Sequence, residues 1–294
     1  MRSAATGLAL IAVLALGQAT SVCAGGGQIT VVAAENFYGD IARQIGGDRV
    51  AVVSIMNNPD QDPHLFETTP AVVRQLAGAQ IVILNGANYD PWMDKLLAAT
   101  PRAGRTVISA AQLTGRRPGD NPHLWYDPVT MPRVATALAE ALAKADKSHA
   151  SDYATRLRAT LTALERIAQR VAELKAKHAG TAVTATEPVF GPMTEALGLI
   201  MRNQRFQLAM MNDTEPSARD VAAFEKDLRE RKVKVLIYNS QVSEKLTERL
   251  RDIADKAKVP VVGVTETMPQ NVSFEDWVLG ELDALDKALN EPNS

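Results

Sequence analysis

Residues 157–174 read LRATLTALERIAQRVAEL, and this stretch decides the fold. Leu157, Leu161, Leu164, Ile167, Val171 and Leu174 recur at steps of three and four, which lays one apolar stripe along a single helix face. The run ends at Gly180, so the spacing predicts one continuous helix of roughly seven turns. From Met131 to His178 no segment reads as a strand. On both sides of that region, short β-branched runs alternate with amphipathic helices.

On the N-terminal side, strands are predicted over Ile29–Ala33, Val50–Ile55, Ile81–Leu84 and Thr106–Ile108. A helix is predicted over Phe37–Ile45, and a second opens at Thr69-Pro70, with Thr as cap and Pro at the first helical position. On the C-terminal side, strands are predicted over Ala182–Ala185, Val235–Ile237 and Val261–Val264, with a helix over Pro192–Leu197. Such alternation means parallel sheets with helices on their faces. The reading is therefore an α/β chain: one lobe over residues 25–130, a helical backbone region over 131–179, and a second lobe over 180–294. A single helical connection is stiff, so large opening and closing motions are not expected.

The 294 residues are 46% hydrophobic and 22% charged, as in globular proteins, and the formal net charge is −2. Basic residues alternate with acidic ones, as in Lys226-Asp227-Leu228-Arg229-Glu230-Arg231-Lys232, rather than clustering. Nucleic acid is therefore not an expected partner. Arg2, the apolar run Leu8–Leu16 and the small residues Val22-Cys23-Ala24 form a secretory signal pattern covering residues 1–24, too short for a membrane span. Cys23 could also be read as a lipid-anchored cysteine, but Ser21-Val22 does not match what a lipoprotein peptidase prefers. Cleavage after Ala24 leaves a mature chain without cysteine, which suits an oxidising compartment such as the periplasm and removes thiolate from the possible metal ligands.

Four histidines are present. Two share a context, Asp62-Pro63-His64-Leu65 and Asn121-Pro122-His123-Leu124, following segments that leave the C-terminal end of the first sheet, where open α/β folds bind ligands. The prolines stiffen both loops. Imidazole suits zinc, copper, iron and nickel and tolerates manganese, and Asp62 or Asn121 could orient a ring from behind. His149 sits in a polar stretch before the long helix and His178 in its last turn, where a cation complements the helix dipole. Both read as structural.

Taken together, these motifs resemble the substrate-binding proteins of zinc- and manganese-type ABC importers, over essentially the whole mature chain. Asp62-Pro63-His64-Leu65-Phe66-Glu67-Thr68-Thr69-Pro70 is similar to the family's first ligand loop, Asn121-Pro122-His123-Leu124-Trp125 to its second, and Thr214-Glu215-Pro216-Ser217 to the motif opening a second-lobe helix. The resemblance implies a long interlobe backbone helix with a metal site in the cleft. It places a third ligand at Glu187, ahead of Phe190 and Gly198-Leu199, and a fourth at Glu266, where the family has Asp. Tyr238, Asn239 and Gln241 are alternatives to Glu266. The family's His-rich collecting loop is absent between His64 and His123.

The function implied by the resemblance is capture of one divalent transition-metal ion, zinc or manganese, by a periplasmic monomer. Delivery to an importer permease is implied too, with a metallochaperone as a further partner, and no enzymatic activity. Two imidazoles and two carboxylates would leave a divalent site neutral, and binding needs neutral imidazoles and ionised carboxylates, so affinity should fall below about pH 6.5. Two other readings compete: a secreted metal-dependent hydrolase with a two-His, one-carboxylate site, and a binder of a metal chelate in a cleft lined by Tyr89, Trp92, Trp125, Tyr126 and Phe190.

Overall fold

The computed structural model describes residues 27–58, 66, 68–242 and 244–291. The expected signal segment and His64 lie outside them. Two four-stranded parallel sheets are present, and a long helix runs between them.

The first sheet is built from β1 (Ile29–Glu35), β2 (Val50–Met56), β3 (Ile81–Leu84) and β4 (Thr106–Ser109), in the order β2-β1-β3-β4. It carries α1 (Asn36–Gly46), α2 (Pro70–Gly78), α3 (Pro91–Ala99) and α4 (Ala110–Thr114). Thr69 caps α2 as expected, its hydroxyl accepting from Val72 N at 3.4 Å. Side-chain alternation along β1 serves two cores: Val31 and Ala33 face the large central core, while Val32 and Ala34 face a smaller one beneath α2 and α3. Buried on both faces, β1 reads as the apolar run ITVVAAE, broken only at its ends.

The helical region consists of two helices. α5 (Thr130–Ala145) packs on α1 and α4 of the first lobe, and α6 (Ala150–His178) follows a tight turn. Asp146 builds that turn by accepting from Ser148 Oγ at 2.6 Å and Tyr153 Oη at 3.0 Å, with His149 Nδ1 at 2.7 Å. The 29 residues of α6 span about 43 Å at 1.5 Å per residue. The predicted stripe is real, with Leu164, Ile167, Val171 and Leu174 buried and Leu157 and Leu161 partly so.

The second sheet contains β5 (Ala182–Ala185), β6 (Ile200–Arg202), β7 (Leu236–Asn239) and β8 (Val261–Val264), ordered β6-β5-β7-β8. Its helices are α7 (Gly191–Ala196), α8 (Gln204–Met211), α9 (Ala218–Arg229), α10 (Lys245–Ala257) and α11 (Phe274–Asn290). Helices α8, α9 and α10 cover the outer face through Phe206, Phe224, Leu228 and Leu250. α11 lies along α6, held by Arg170 Nη2 to Asp286 Oδ2 at 2.8 Å and His178 Nε2 to Asp286 Oδ1 at 2.9 Å.

The two sheets share one topology. In each, the first strand lies between the second and third, so the chain reverses its direction of travel beside β1 in one lobe and beside β5 in the other. Crevices for ligands open at the carboxyl ends of strands at such switch points. Strand β6 and helices α3, α4 and α8 were not anticipated from the sequence. β6 has only three residues, the two outer ones exposed, and so lacks the apolar signature of the interior strands.

Candidate metal centre between the lobes

The lobes meet at the carboxyl ends of both sheets, along a seam of hydrogen bonds. Asn36 Nδ2 donates to Met268 O at 2.6 Å and Asn36 Oδ1 accepts from Met268 N at 3.1 Å. Tyr126 Oη donates to Thr265 O at 2.6 Å, and Asn121 Nδ2 to Pro188 O at 2.7 Å.

His123 stands within this seam, 1% exposed, at the entry to the short 3-10 turn Leu124–Tyr126. Its orientation is fixed by Asn121. That carboxamide spends its N–H on Pro188 O, so its oxygen faces the imidazole, 2.7 Å from Nδ1, and also accepts His123 N at 3.1 Å. An oxygen acceptor at Nδ1 assigns the ring hydrogen there and leaves the Nε2 lone pair outward. The close approach depends on Gly191, where a Cβ would fall 2.5 Å from Asn121 Nδ2. His123 Nε2 is buried with no hydrogen-bond partner, and it lies 3.6 Å from Glu266 Oε2.

Glu266 follows β8, is 1% exposed and is held from several sides. Its Oε2 accepts from Tyr89 Oη at 3.0 Å and its Oε1 from Asn239 Nδ2 at 2.7 Å. Gln241 Oε1 takes the backbone N–H groups of Glu266 and Thr267, which fixes the loop. Glu187, after β5, is 8% exposed, and its Oε2 accepts from the same Asn239 Nδ2 at 3.2 Å. One amide therefore bridges both acidic candidates. Burial, reinforced by the charges of Glu266 and Glu35, pushes the Tyr89 hydroxyl well above its usual value, so it stays a proton donor.

Three of the four sequence candidates, His123, Glu187 and Glu266, are thus close together where the lobes meet, and the fourth, His64, lies outside the described residues. Among the described residues, no group of three or more His, Cys, Asp and Glu side chains is arranged to hold a metal ion. Asn239 occupies the space between the carboxylates, so a shared ion requires its amide to yield. Asn239 and Gln241 support the acidic pair, whereas Tyr238 lies beneath Arg251, 4.2 Å from its ring centroid. Sequence reasoning marks Tyr89 only as a cleft aromatic and misses Glu35, which ends β1 buried and without any hydrogen bond from either oxygen. A charged residue closing an apolar strand, in register with the core-facing Val31 and Ala33, is the local signal that could have found it.

His149 and His178 are structural, each bound to an aspartate. The aromatics named for a chelate cleft are packed instead. Trp125, Tyr126 and Phe190 are at most 1% exposed, with Tyr126 and Phe190 centroids 4.7 Å apart, and Trp92 packs at a tilt against Phe66, centroids 4.2 Å apart. No described helix is long and apolar enough to cross a membrane.

Comparison with known proteins agrees with this architecture. Residues 31–288 match the model of the family described as "Zinc-uptake complex component A periplasmic". The zinc-binding protein TroA of Treponema pallidum is 24% identical, the match covering 82% of this chain and 82% of that protein. The manganese ABC transporter substrate-binding lipoprotein PsaA of Streptococcus pneumoniae is 23% identical, covering 96% of each chain. The solved structure of the periplasmic zinc binding protein TroA superposes with a TM-score of 0.76 at 21% identity, over 90% of this chain and all of that one. These are binding components of uptake systems rather than enzymes, which sets the hydrolase reading aside. A two-lobed chain with this helix, matched along nearly its whole folded length, belongs to the periplasmic zinc-uptake component A family of substrate-binding proteins.

Proposed function

We propose that the protein captures one divalent transition-metal ion, zinc or manganese, outside the cytoplasm and delivers it to the permease of an ABC importer. The ion is held by His64 and His123 from the first lobe and Glu187 and Glu266 from the second. The signal segment over residues 1–24 exports the chain to the periplasm, where it works as a monomer. Residues 25–130, 131–179 and 180–294 serve as lobe, backbone and lobe.

The observation that carries this reading is the facing pair His123 Nε2 and Glu266 Oε2, 3.6 Å apart and both buried. A lone pair aimed at a carboxylate oxygen in a dry site is unfavourable unless a proton or cation lies between them. Two imidazoles and two carboxylates match the charge of a divalent ion, and carboxylates binding through one or two oxygens allow coordination beyond four.

Native mass spectrometry, with manganese and zinc titrated in turn, tests the reading. Wild type should take up one ion, and His64→Ala, His123→Ala, Glu187→Ala and Glu266→Ala should each bind it more weakly. Wild-type affinity for both metals in Glu187→Ala and Glu266→Ala would show that the four-residue site is wrong.

A further inference from the structure

A cavity of about 390 Å³ lies between the lobes beside Asn121, and the function described so far makes no use of it. Its size falls in the range of small-molecule sites, which favour boundaries between domains. The second lobe lines it with Pro192, Leu199, the thioethers of Met201 and Met211, and Leu208 of α8. Leu208 is 48% exposed, and thioethers adapt to apolar partners of varied shape. A lone exposed leucine means little. One that opens onto an apolar cavity with two methionines marks a place where a ligand takes apolar surface out of water.

The uncompensated charge in the lining is of one sign. Asp120 of the first lobe and Glu195 of α7 both line the cavity and are exposed, which puts them at its rim. Among the described residues, neither belongs to a salt bridge. Arg116, the cation in the lining, is already paired with Asp127 at 3.1 Å. Glu195 also sits in the last turn of α7, where its charge adds to the negative end of the helix instead of opposing it. An apolar interior is thus combined with an acidic rim.

We propose that this cavity is a second ligand site, separate from the metal centre, for a small organic cation carrying an apolar body. An anion would be repelled by Asp120 and Glu195, and a wholly polar ligand would lose its hydration against the methionines and Leu208. The site also reaches His123 through two hydrogen bonds. Pro188 and Asn121 both line it; Asn121 Nδ2 donates to Pro188 O at 2.7 Å, and the Asn121 oxygen stands 2.7 Å from His123 Nδ1. An occupant packed on both residues shields the interlobe bond from water and keeps the imidazole oriented. On the metal-capture reading, on which this coupling rests, the cation therefore strengthens ion binding, and by linkage the ion strengthens cation binding.

Hexyltrimethylammonium tests the proposal, because its charge is permanent and it has no lone pair for a metal. Titrated into wild type carrying isotope-labelled methionine methyl groups, it should shift the Met201 and Met211 NMR signals saturably, with a Kd of about 1 mM. Uncharged n-hexanol should bind at least about threefold more weakly, and Glu195→Gln should weaken the cation by about threefold, as for one exposed charge pair. Leu208→Gln should weaken both ligands. Both substituted residues are exposed, so the variants should melt with wild type. Zinc affinity, measured by chelator competition, should rise about fivefold with saturating cation, the low end for coupled sites, and not with tetramethylammonium at the same ionic strength. Missing or non-saturating shifts at both methionines, or equal affinity for the cation and hexanol, overturn the site. Saturable binding with unchanged zinc affinity overturns the coupling. A wild type that binds the cation but no metal overturns the capture reading and leaves the second site standing.

Discussion

Tyr89 of the first lobe donates its hydroxyl hydrogen to Glu266 of the second across 3.0 Å, a contact between residues 177 apart in sequence. It joins the lobes at the proposed ion site and holds the carboxylate oxygen nearest His123. Tyr89→Phe keeps the ring packing and removes this bond. The metal-free protein should lose about 1–3 kcal/mol of unfolding free energy, as expected for a hydrogen bond to a buried charged group. Urea denaturation of the two proteins measures the difference, and a loss below experimental error would mean that the contact contributes nothing.

Asn239 keeps two buried carboxylates apart by donating to both. In Asn239→Ala, Glu187 and Glu266 lose that donor, while on the proposed function a bound metal ion would still neutralise them. The apo form should be destabilised by roughly 1–3 kcal/mol, and the rise in melting temperature on adding metal should exceed that of wild type. Scanning calorimetry with and without zinc provides both values; an equal metal-induced rise in the two proteins would count against the bridging role.

Two of the buried acids, Glu281 and Asp90, make a definite contribution to the pH dependence of the metal-free fold. Burial raises Glu281 from 4.5 to about 8, against hydrogen bonds from Thr265 N and the Trp277 indole, and raises Asp90 from 3.8 to about 6. The folded chain therefore keeps protons that the unfolded chain has already released. Their contribution is fully present below the unfolded values near 4 and is lost as pH rises through about 6 for Asp90 and about 8 for Glu281. Glu281→Gln mimics the protonated acid. It should match wild type in mild acid and exceed it by ~1–3 kcal/mol in mild base, a discounted share of about 1.4 kcal/mol per pKa unit. Denaturation curves across that range check the sign.

His178 should prove structural. Its Nε2 lies 2.9 Å from Asp286 and ties α6 to α11. His178→Ala should bind the same number of ions with unchanged affinity while losing on the order of 1 kcal/mol of stability. A lowered stoichiometry in native mass spectra would contradict this.

Much of the fold could be read from residues alone, because interior strands of a parallel sheet are compact apolar runs. Ile81–Leu84, Ala182–Ala185 and Val261–Val264 end where the sequence places them. Ile200–Arg202 escaped notice because an exposed edge strand carries no such run. In the site, the Pro-His-Leu context marked His123, since local stiffening is written locally. Glu187 and Glu266 needed a family register: each looks like a loop carboxylate until the fold buries it. The amide of Asn239, reaching across 52 and 27 residues to the two acids, has no local signature at all.

The aromatic side chains at the lobe junction have a thermodynamic consequence. Phe37 packs on Trp125 at 4.7 Å and on Trp277 at 6.0 Å, and Tyr126 packs on both Trp277 and Phe190. The central core runs without a break from Ile29 to Leu289. Neither lobe can melt without exposing apolar surface of the other, so the chain should unfold as a single cooperative unit, with calorimetric and van't Hoff enthalpies in agreement. The two sheets are separate in hydrogen bonding but share one melting transition, so a core defect in either lobe weakens the whole molecule.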